Sequence, residues 1–220
     1  MPFYQSKGLI PPKRHTVFKN SNDNLYFEEL VSREGFSHMY SNLYHLRMPT
    51  RVLEMGEFHQ IELKRGDNTH RARHIRTANI KSSGNAISSR IPLFFNSDII
   101  ISKAHVDSSM DFHYRNGHFD ELLYIQSGGG TFKSNLGTLE FGFGDYIVIP
   151  RGVIWKMDGD DECRILVVES NRPLETPTRY RNKFGQLLEH SPFCERDIRT
   201  PAFSDPIDEE GESLVKVRVN

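Results

Sequence analysis

The stretch "ELLYIQSGGGTFKSNLGTLEFGFGDYIVIPRG", residues 121–152, decides the fold. It contains short runs rich in β-branched and aromatic residues, separated by turn residues, which is the pattern of successive β-strands. The runs are residues 121–127, 137–141 and 145–150, and the turns lie at 128–130 and 141–145. We therefore expect antiparallel strands here. The three glycines at 128–130 are expected to supply the positive φ that a tight change of strand requires.

Runs of the same kind lie on both sides of this stretch. They are "HQIELKR" (59–65), "DIIISKAHV" (98–106), "CRILVVES" (163–170) and the terminal "LVKVRV" (214–219). The one helix signal is "NLYFEELVSREGF" (24–36), with Asn24 as a possible cap and Gly35 at its end. Many short strands at steady spacing predict an all-β protein, with an antiparallel β-barrel or sandwich and one short helix.

The chain divides into three parts on this pattern. Residues 1–57 are expected to form an N-terminal arm of loops plus the short helix, and residues 58–170 the β-domain. Residues 171–220 begin with a connection punctuated by Pro173 and Pro177 and end in a half-buried strand with no partner strand after it. We therefore expect this last part to lead toward a second domain.

Composition narrows the class of protein. The net charge is -1, so nothing in the overall charge favours a nucleic acid as partner. Two cysteines, Cys163 and Cys194, are too few for a disulfide framework and predict free thiols in a reducing compartment. We find neither a signal-peptide pattern at the N-terminus nor an apolar run of membrane-spanning length. A soluble cytoplasmic protein is expected.

Two spacings in the central stretch resemble the motifs of the cupin superfamily. Glu121-x6-Gly128 matches the end of the first cupin motif, and Gly144-x5-Pro150-x-Gly152 matches the start of the second. The resemblance implies a cupin-like antiparallel barrel. The metal-ligand positions match poorly, because the first motif has His-x-His and the second ends in histidine. Here the two preceding histidines are five residues apart, and the final position holds Trp155, whose indole N–H can only donate a hydrogen bond.

The candidate metal ligands are therefore His113, His118 and Glu121. Asn116-Gly117 is a strong two-residue hairpin signal, which would pair Arg115 with His118 and His113 with Asp120. That register places the histidines and Glu121 on opposite faces, whereas an iron(II) site of two histidines and one carboxylate needs all three to converge. We expect the metal site of this domain to be degenerate and no metal to be bound. A metalloenzyme that uses these three residues remains the alternative.

A narrower resemblance covers nearly the whole chain. The segments 7–18, 25–36, 41–50, 71–77, 112–155, 184–201 and 208–219 resemble, in order, the N-terminal portion of the homogentisate 1,2-dioxygenase family. The family implies a bicupin that opens the ring of homogentisate, a small aromatic acid, with O2 in tyrosine and phenylalanine catabolism, and a homo-oligomer. Its iron(II) ligands lie in the second cupin domain, so the resemblance assigns no catalytic, cofactor or metal residue to this chain. The stretch "SHMYSN" (37–42) departs from the family and leaves a different substrate open.

Three functions are compatible with these patterns. The first is the N-terminal scaffold and assembly domain of a ring-cleaving dioxygenase, inactive by itself. The second is a metal-free single cupin that binds a small molecule or a protein, and the third is the metalloenzyme. The basic stretch 69–77 is expected to be a solvated or inter-subunit surface, and "KRHT" (13–16) part of an arm that contacts another subunit. Cys163 begins an apolar strand and is expected in the core.

Overall fold

A computed structural model describes residues 18–33, 35–36, 40–49, 51–67, 69–160, 163–205 and 207–219. Within these residues the regular structure is almost entirely β. The strands are β1 (Phe27–Ser32), β2 (Tyr40–His45), β3 (Ile91–Phe95), β4 (Ile99–Val106), β5 (His113–Asn116), β6 (Asp120–Ser127), β7 (Gly130–Ser134), β8 (Gly137–Phe141), β9 (Tyr146–Ile149), β10 (Ile154–Gly159), β11 (Cys163–Ser170) and β12 (Val215–Arg218). Three 3-10 turns accompany them, at Thr77–Asn79, Thr178–Tyr180 and Glu195–Asp197. The all-β class expected from the sequence is confirmed.

Ten of these strands form two five-stranded sheets. Sheet 1 has the order β12-β5-β10-β7-β8, and sheet 2 has the order β3-β4-β11-β6-β9. Neighbouring strands are antiparallel except β12, which runs parallel to β5. The two sheets remain separate and do not close on themselves. Strands β1 and β2 form a hairpin of their own, which we call the N-terminal hairpin.

The core lies between the two sheets, because residues of both belong to one buried apolar cluster. In sheet 2 the side chains of β4 alternate, so that Ile100, Ala104 and Val106 are buried while their neighbours are not. Sheet 1 contributes its largest side chain, Trp155, which is fully buried. This alternation is the period of two that a strand with one core-facing side requires.

The predicted helix over 24–36 is wrong. Residues Phe27–Ser32 form strand β1 and pair in antiparallel register with β2, Phe27 opposite His45 and Ser32 opposite Tyr40. The run has good helix formers in Glu28, Glu29 and Leu30, but propensity is a weak preference that a pairing partner overrides. The arm therefore contains a two-stranded sheet instead of loops with a helix.

The predicted strand at 59–65 is also wrong. Residues 51–67 form no regular element, and almost all of them are exposed. Ile61 and Leu63 alternate with polar residues, but alternation produces a strand only where a neighbouring strand can satisfy the backbone groups. The remaining predicted strands are confirmed as β4, β6, β8, β9, β11 and β12.

Asn116-Gly117 does not form the expected hairpin between β5 and β6. These strands belong to different sheets, and Arg115 pairs with Ile154 of β10 instead of His118. The reason is the side chain of Asn116, which is buried and accepts hydrogen bonds from the backbone N–H groups of His118 and Phe119. This Asx turn carries the chain from one sheet across to the other.

The terminal strand has a partner within the chain, contrary to the expectation. Val215 of β12 lies opposite His113, and Arg218 opposite Asn116. At the glycine turn, Gly128 and Gly130 have φ of 72° and 158°, as expected of this turn. A Cβ on Gly128 would also lie 2.6 Å from the backbone nitrogen of Cys163. No helix in the described part of the chain is long and apolar enough to cross a membrane.

Candidate functional site

The three candidate metal ligands do not meet. His113 is half-buried on β5, whose alternate residues Tyr114 and Asn116 face the interior. His118 follows β5 in the turn, and its ring packs edge-on against Phe119 with centroids 4.4 Å apart. Burial, followed by the nearby Lys156, lowers the pKa of His113, so its imidazole is neutral at pH 7.

Glu121 is the member of this set that lies inside the protein. Its side chain is fully buried at the start of β6. Oε1 accepts a hydrogen bond from Nη1 of Arg90 at 2.6 Å, and Oε2 accepts one from Nε1 of Trp155 at 3.3 Å. Both oxygens of the carboxylate therefore have partners from the protein itself. A buried carboxylate requires such partners, because removal from water otherwise strongly disfavours its charge.

A second carboxylate lies beside it on the neighbouring strand. Glu169 of β11 is directly opposite Glu121 in the antiparallel register and is also buried. Its Oε1 accepts hydrogen bonds from Nη1 of Arg218 at 2.5 Å and from Nδ2 of Asn116 at 3.1 Å, and lies 3.5 Å from Nη1 of Arg90. Like charges directly opposite each other on two strands repel unless they are neutralised. The two guanidinium groups provide that neutralisation.

We call Arg90, Glu121, Glu169 and Arg218 the interior charge cluster. Its formal charges cancel, and its side chains are between 0% and 13% exposed. Arg90 is central, because its Nη1 is the atom shared by both carboxylates. Nη2 of the same guanidinium is buried without a hydrogen-bond partner. Burial lowers the pKa of Arg90, but Glu121 first, then Tyr114 and Glu169, raise it by more, so the guanidinium stays charged.

Aromatic rings pack against the cluster. Trp155 packs edge-on against Tyr114 and stacks on Phe132, with centroids 5.4 Å apart in each pair. The guanidinium carbon of Arg90 lies 5.6 Å from the Tyr114 ring centre and 5.9 Å from that of Trp155. Burial, and next the charge of Glu121, raise the pKa of Tyr114, so its phenol keeps its proton. These rings keep water from the ion pairs and so strengthen them.

The residues of this interior do not suit an iron(II) ion. The position where the cupin motif has its last histidine holds Trp155, which donates to Glu121 and cannot bind a metal. Glu121 is already bonded to a cation, Arg90. Among the described residues no group of three histidine, cysteine or acidic side chains is placed to hold a metal ion. The interior charge cluster is therefore a fixed set of ion pairs with no net charge.

A third buried carboxylate connects three parts of the chain. Asp120 is fully buried and accepts hydrogen bonds from Nε of Arg151 at 3.0 Å, Nη1 of Arg33 at 3.3 Å and the backbone N–H of Leu174 at 3.0 Å. Arg33 directly follows β1 within the N-terminal hairpin, and Leu174 lies in the connection after the β-domain. One side chain thus joins the hairpin, the β-domain and the connection.

The other candidate residues take structural positions. In the basic stretch, Arg71 and Arg73 both bond to Asp67 on the surface, and Arg71 does so at 3.0 Å. Cys163 is a free, buried thiol, and burial raises its pKa to about 11, so it is not a nucleophile at neutral pH. Residues 13–16 lie outside the described part of the chain.

An open groove of about 740 Å³ lies on the arm. Residues between 20 and 28 line it together with Leu46, and none of the lining residues is a histidine, cysteine or aspartate. The groove shares no residue with the interior charge cluster.

Three members of the interior charge cluster have no local sequence signal. Arg90 precedes β3, Glu169 ends an apolar strand, and Arg218 is in β12. The sheet registers place Glu169 opposite Glu121 and Arg218 opposite Asn116, and Arg90 reaches Glu121 from the position before β3. Motif spacing did single out Glu121, the fourth member of the cluster, and Trp155, which donates a hydrogen bond to it.

A comparison with known proteins finds a relative that matches most of the chain. The chain is 38% identical over 203 residues to a protein of Saccharolobus solfataricus named "Putative dioxygenase", which covers 91% of this chain and 52% of that protein. The chain thus spans about half the length of this relative. No family model matches the chain.

The solved structures resemble the chain only in part. A cupin-2 domain-containing protein from Shewanella frigidimarina is 21% identical with a TM-score of 0.34, over 37% of this chain and 79% of that chain. Salicylate 1,2-dioxygenase from Pseudoaminobacter salicylatoxidans is 15% identical with a TM-score of 0.34, over 37% of this chain and 24% of that chain. TM-scores of this size do not bear on function.

Proposed function

We propose that this chain is the scaffold and assembly domain of a ring-cleaving dioxygenase of the homogentisate 1,2-dioxygenase type, and that the oxygen chemistry takes place outside these residues. The interior charge cluster is the observation that carries the proposal. The carboxylate at the cupin-motif position, Glu121, is held by Arg90 and Trp155. Ring opening with O2 needs an iron(II) centre with open coordination positions.

The extent of the similarity supports the dioxygenase assignment. Identity of 38% to a protein named "Putative dioxygenase" runs over 91% of this chain, so the relationship is not confined to one motif. That relative is about twice as long as the matched part. We infer that the iron ligands belong to the portion of such proteins that these residues do not match. A small aromatic acid such as homogentisate is the proposed substrate class.

The architecture supports a scaffold role. Buried ion pairs hold the sheets and the connection in one arrangement, through Glu121 and Glu169 inside and Asp120 at the junction with the N-terminal hairpin. Breaking a buried ion pair by removing one partner costs about 3–5 kcal/mol, so these contacts favour a rigid body. A rigid domain suits the positioning of a neighbouring catalytic domain.

Oxygen uptake tests the proposal. The 220-residue chain is assayed with iron(II), ascorbate and homogentisate, beside a version carried to the natural stop codon. The short chain should show no turnover, and the longer version should consume oxygen and open the ring. Turnover by the short chain, or a stop codon directly after Asn220 in an active native gene, would place the catalytic site within these residues and refute the proposal.

A further inference from the structure

The side of sheet 1 that faces away from the core carries basic residues. On β5 and β10 buried residues alternate with half-buried ones, and the half-buried positions point away from the core. These outward residues are His113, Arg115, Ile154, Lys156 and Asp158. Basic side chains therefore outnumber the acidic one on the two strands.

The strand registers bring these basic residues close together. Arg115 lies opposite Ile154, so Lys156, two residues further along β10, is the diagonal neighbour of Arg115. On the other side of β10, Lys156 lies directly opposite Lys133 of β7. His113 is one step beyond the paired positions of β5, on the side of Lys156. We call His113, Arg115, Lys133 and Lys156 the basic face of sheet 1.

Arg115 and Lys156 differ from the other cations in their surroundings. Other lysines and arginines that are wholly or partly buried in the described ranges bond to carboxylate or carbonyl oxygens, namely Arg33, Arg90, Lys103, Arg151, Arg181 and Arg218. For the half-buried Arg115 and Lys156, the described residues provide no such oxygen. Lys133 is more exposed and lies 3.9 Å from Asp158. Like charges directly opposite each other on two strands are unfavourable, so Lys156 beside Lys133 lacks the compensation found elsewhere in the chain.

We propose that the basic face of sheet 1 binds a small oxyanion that carries two negative charges, either a phosphate group or a dicarboxylate. The planar guanidinium of Arg115 can donate two parallel hydrogen bonds to such a group. The ammonium group of Lys156, on the neighbouring strand, adds a compact positive charge beside it. An anion held between them offsets the repulsion that the register creates between Lys156 and Lys133.

The neighbouring residues of sheet 1 limit the size of the ligand. Asp158 on β10 and Glu140 on β8 point to the same side of the sheet, beyond Lys133. An acidic peptide or a nucleic acid laid across the sheet would meet these carboxylates, whereas an ion the width of one strand spacing, about 5 Å, would not. At the opposite edge, Val215 and Val217 of β12 border the basic face with apolar side chains. The charges thus favour a compact ligand near β5 and β10.

Titration of the whole 220-residue chain with inorganic phosphate and, separately, with succinate tests this inference at constant ionic strength. The ring NMR signals of His113 report binding, because the ring lies beside Lys156, and they should shift saturably with at least one ion. The ion that binds identifies the ligand as a phosphate or as a dicarboxylate. Lys156→Gln and Arg115→Gln should each weaken binding about tenfold or more, because each removes a charge-assisted hydrogen bond. Lys156→Arg should retain binding.

The matched control is Lys81→Gln, at an exposed lysine outside both sheets, and it should leave the dissociation constant unchanged. Shifts that rise without saturation for both ions would overturn the inference. So would an unchanged affinity in a folded variant that combines Arg115→Gln with Lys156→Gln. Tighter binding of polyglutamate or duplex DNA than of either ion would also overturn it. The oxygen-uptake result does not bear on this site, and the site does not depend on the proposed function.

Discussion

Replacement of Arg90 by methionine is the perturbation that bears most directly on the interior charge cluster. Met is close in volume to the arginine stem but lacks the guanidinium, so the packing against Trp155 is largely kept. The change leaves Glu121 and Glu169 opposite each other, both buried, with Arg218 as their remaining cation. One negative charge is then uncompensated inside the protein.

The expected loss of unfolding free energy follows from the burial of the Arg90 and Glu121 side chains. The Arg90 side chain is 9% exposed and that of Glu121 is 0% exposed, so solvent screens the pair very little. Loss of one partner from such a pair costs about 3–5 kcal/mol of unfolding free energy. In a chain of this length about 1 kcal/mol lowers the midpoint of thermal unfolding by about 2–4 °C, so a fall of about 6–20 °C is expected.

A double-mutant cycle separates the contribution of the Arg90–Glu121 ion pair to the free energy of unfolding from the effect of lost packing. Glu121→Gln alone leaves Arg90 with Glu169 and an excess positive charge. Arg90→Met combined with Glu121→Gln restores neutrality, and it should cost less than the two single changes added together by about 0.5–3 kcal/mol. Arg172→Met, at an exposed arginine, is the matched control and should stay within about 0.5 kcal/mol of wild type.

Urea unfolding followed by fluorescence suits this cycle, because Trp155 is the one tryptophan of the chain and touches Glu121 directly. Its emission should also shift in the folded Arg90→Met protein. Two results would refute the reasoning: an Arg90→Met protein as stable as wild type, or strictly additive single and double variants. Either would mean that Arg90 does not compensate the buried carboxylates.

The remaining predictions concern three other buried groups. Trp155→Ala should lower the free energy of unfolding by about 3–5 kcal/mol in urea titrations, and Trp155→Phe should lower it less because an aromatic ring remains. Equal losses of unfolding free energy in the two variants would contradict the packing role of Trp155. Asp120→Asn should make the chain near Arg33 more sensitive to limited proteolysis, since one carboxylate bonds the hairpin to the β-domain, and an unchanged digestion pattern would exclude this tether. In native protein at pH 8 a thiol reagent should modify Cys194 and spare Cys163, because Cys163 is buried and its pKa is raised to about 11. Both cysteines should react after unfolding. Rapid labelling of Cys163 in the native protein would disprove its burial.

The sequence was sufficient to predict most of the long strands but not their partners. The runs at 98–106, 121–127 and 163–170 are strongly apolar and bounded by turn residues, and they became β4, β6 and β11. The short strands β3, β7 and β10 lack such a pattern and were missed, whereas β5 was expected as a strand but with the wrong partner. Phe27–Ser32 has the composition of a helix, and only its pairing with Tyr40–His45 makes it a strand.

Motif spacing predicted only two residues of the candidate site. Glu121 and Trp155 stand at fixed offsets from glycines and a proline, so the sequence indicates their positions. Arg90 precedes β3 and Arg218 lies in β12, and no local pattern distinguishes them from surface arginines. The expected hairpin at Asn116-Gly117 failed because the Asn116 side chain accepts hydrogen bonds from the backbone of His118 and Phe119; its burial beside Glu169, 53 residues away, has no local signal.

Iron binding by the 220-residue chain tests the central claim most directly. The protein is purified without oxygen, incubated with excess iron(II), freed of unbound metal and analysed for iron per chain. We predict no retained iron, because Glu121 is bonded to Arg90 and Trp155 while His113 and His118 lie elsewhere. One iron per chain, lost in Glu121→Gln, would contradict the account.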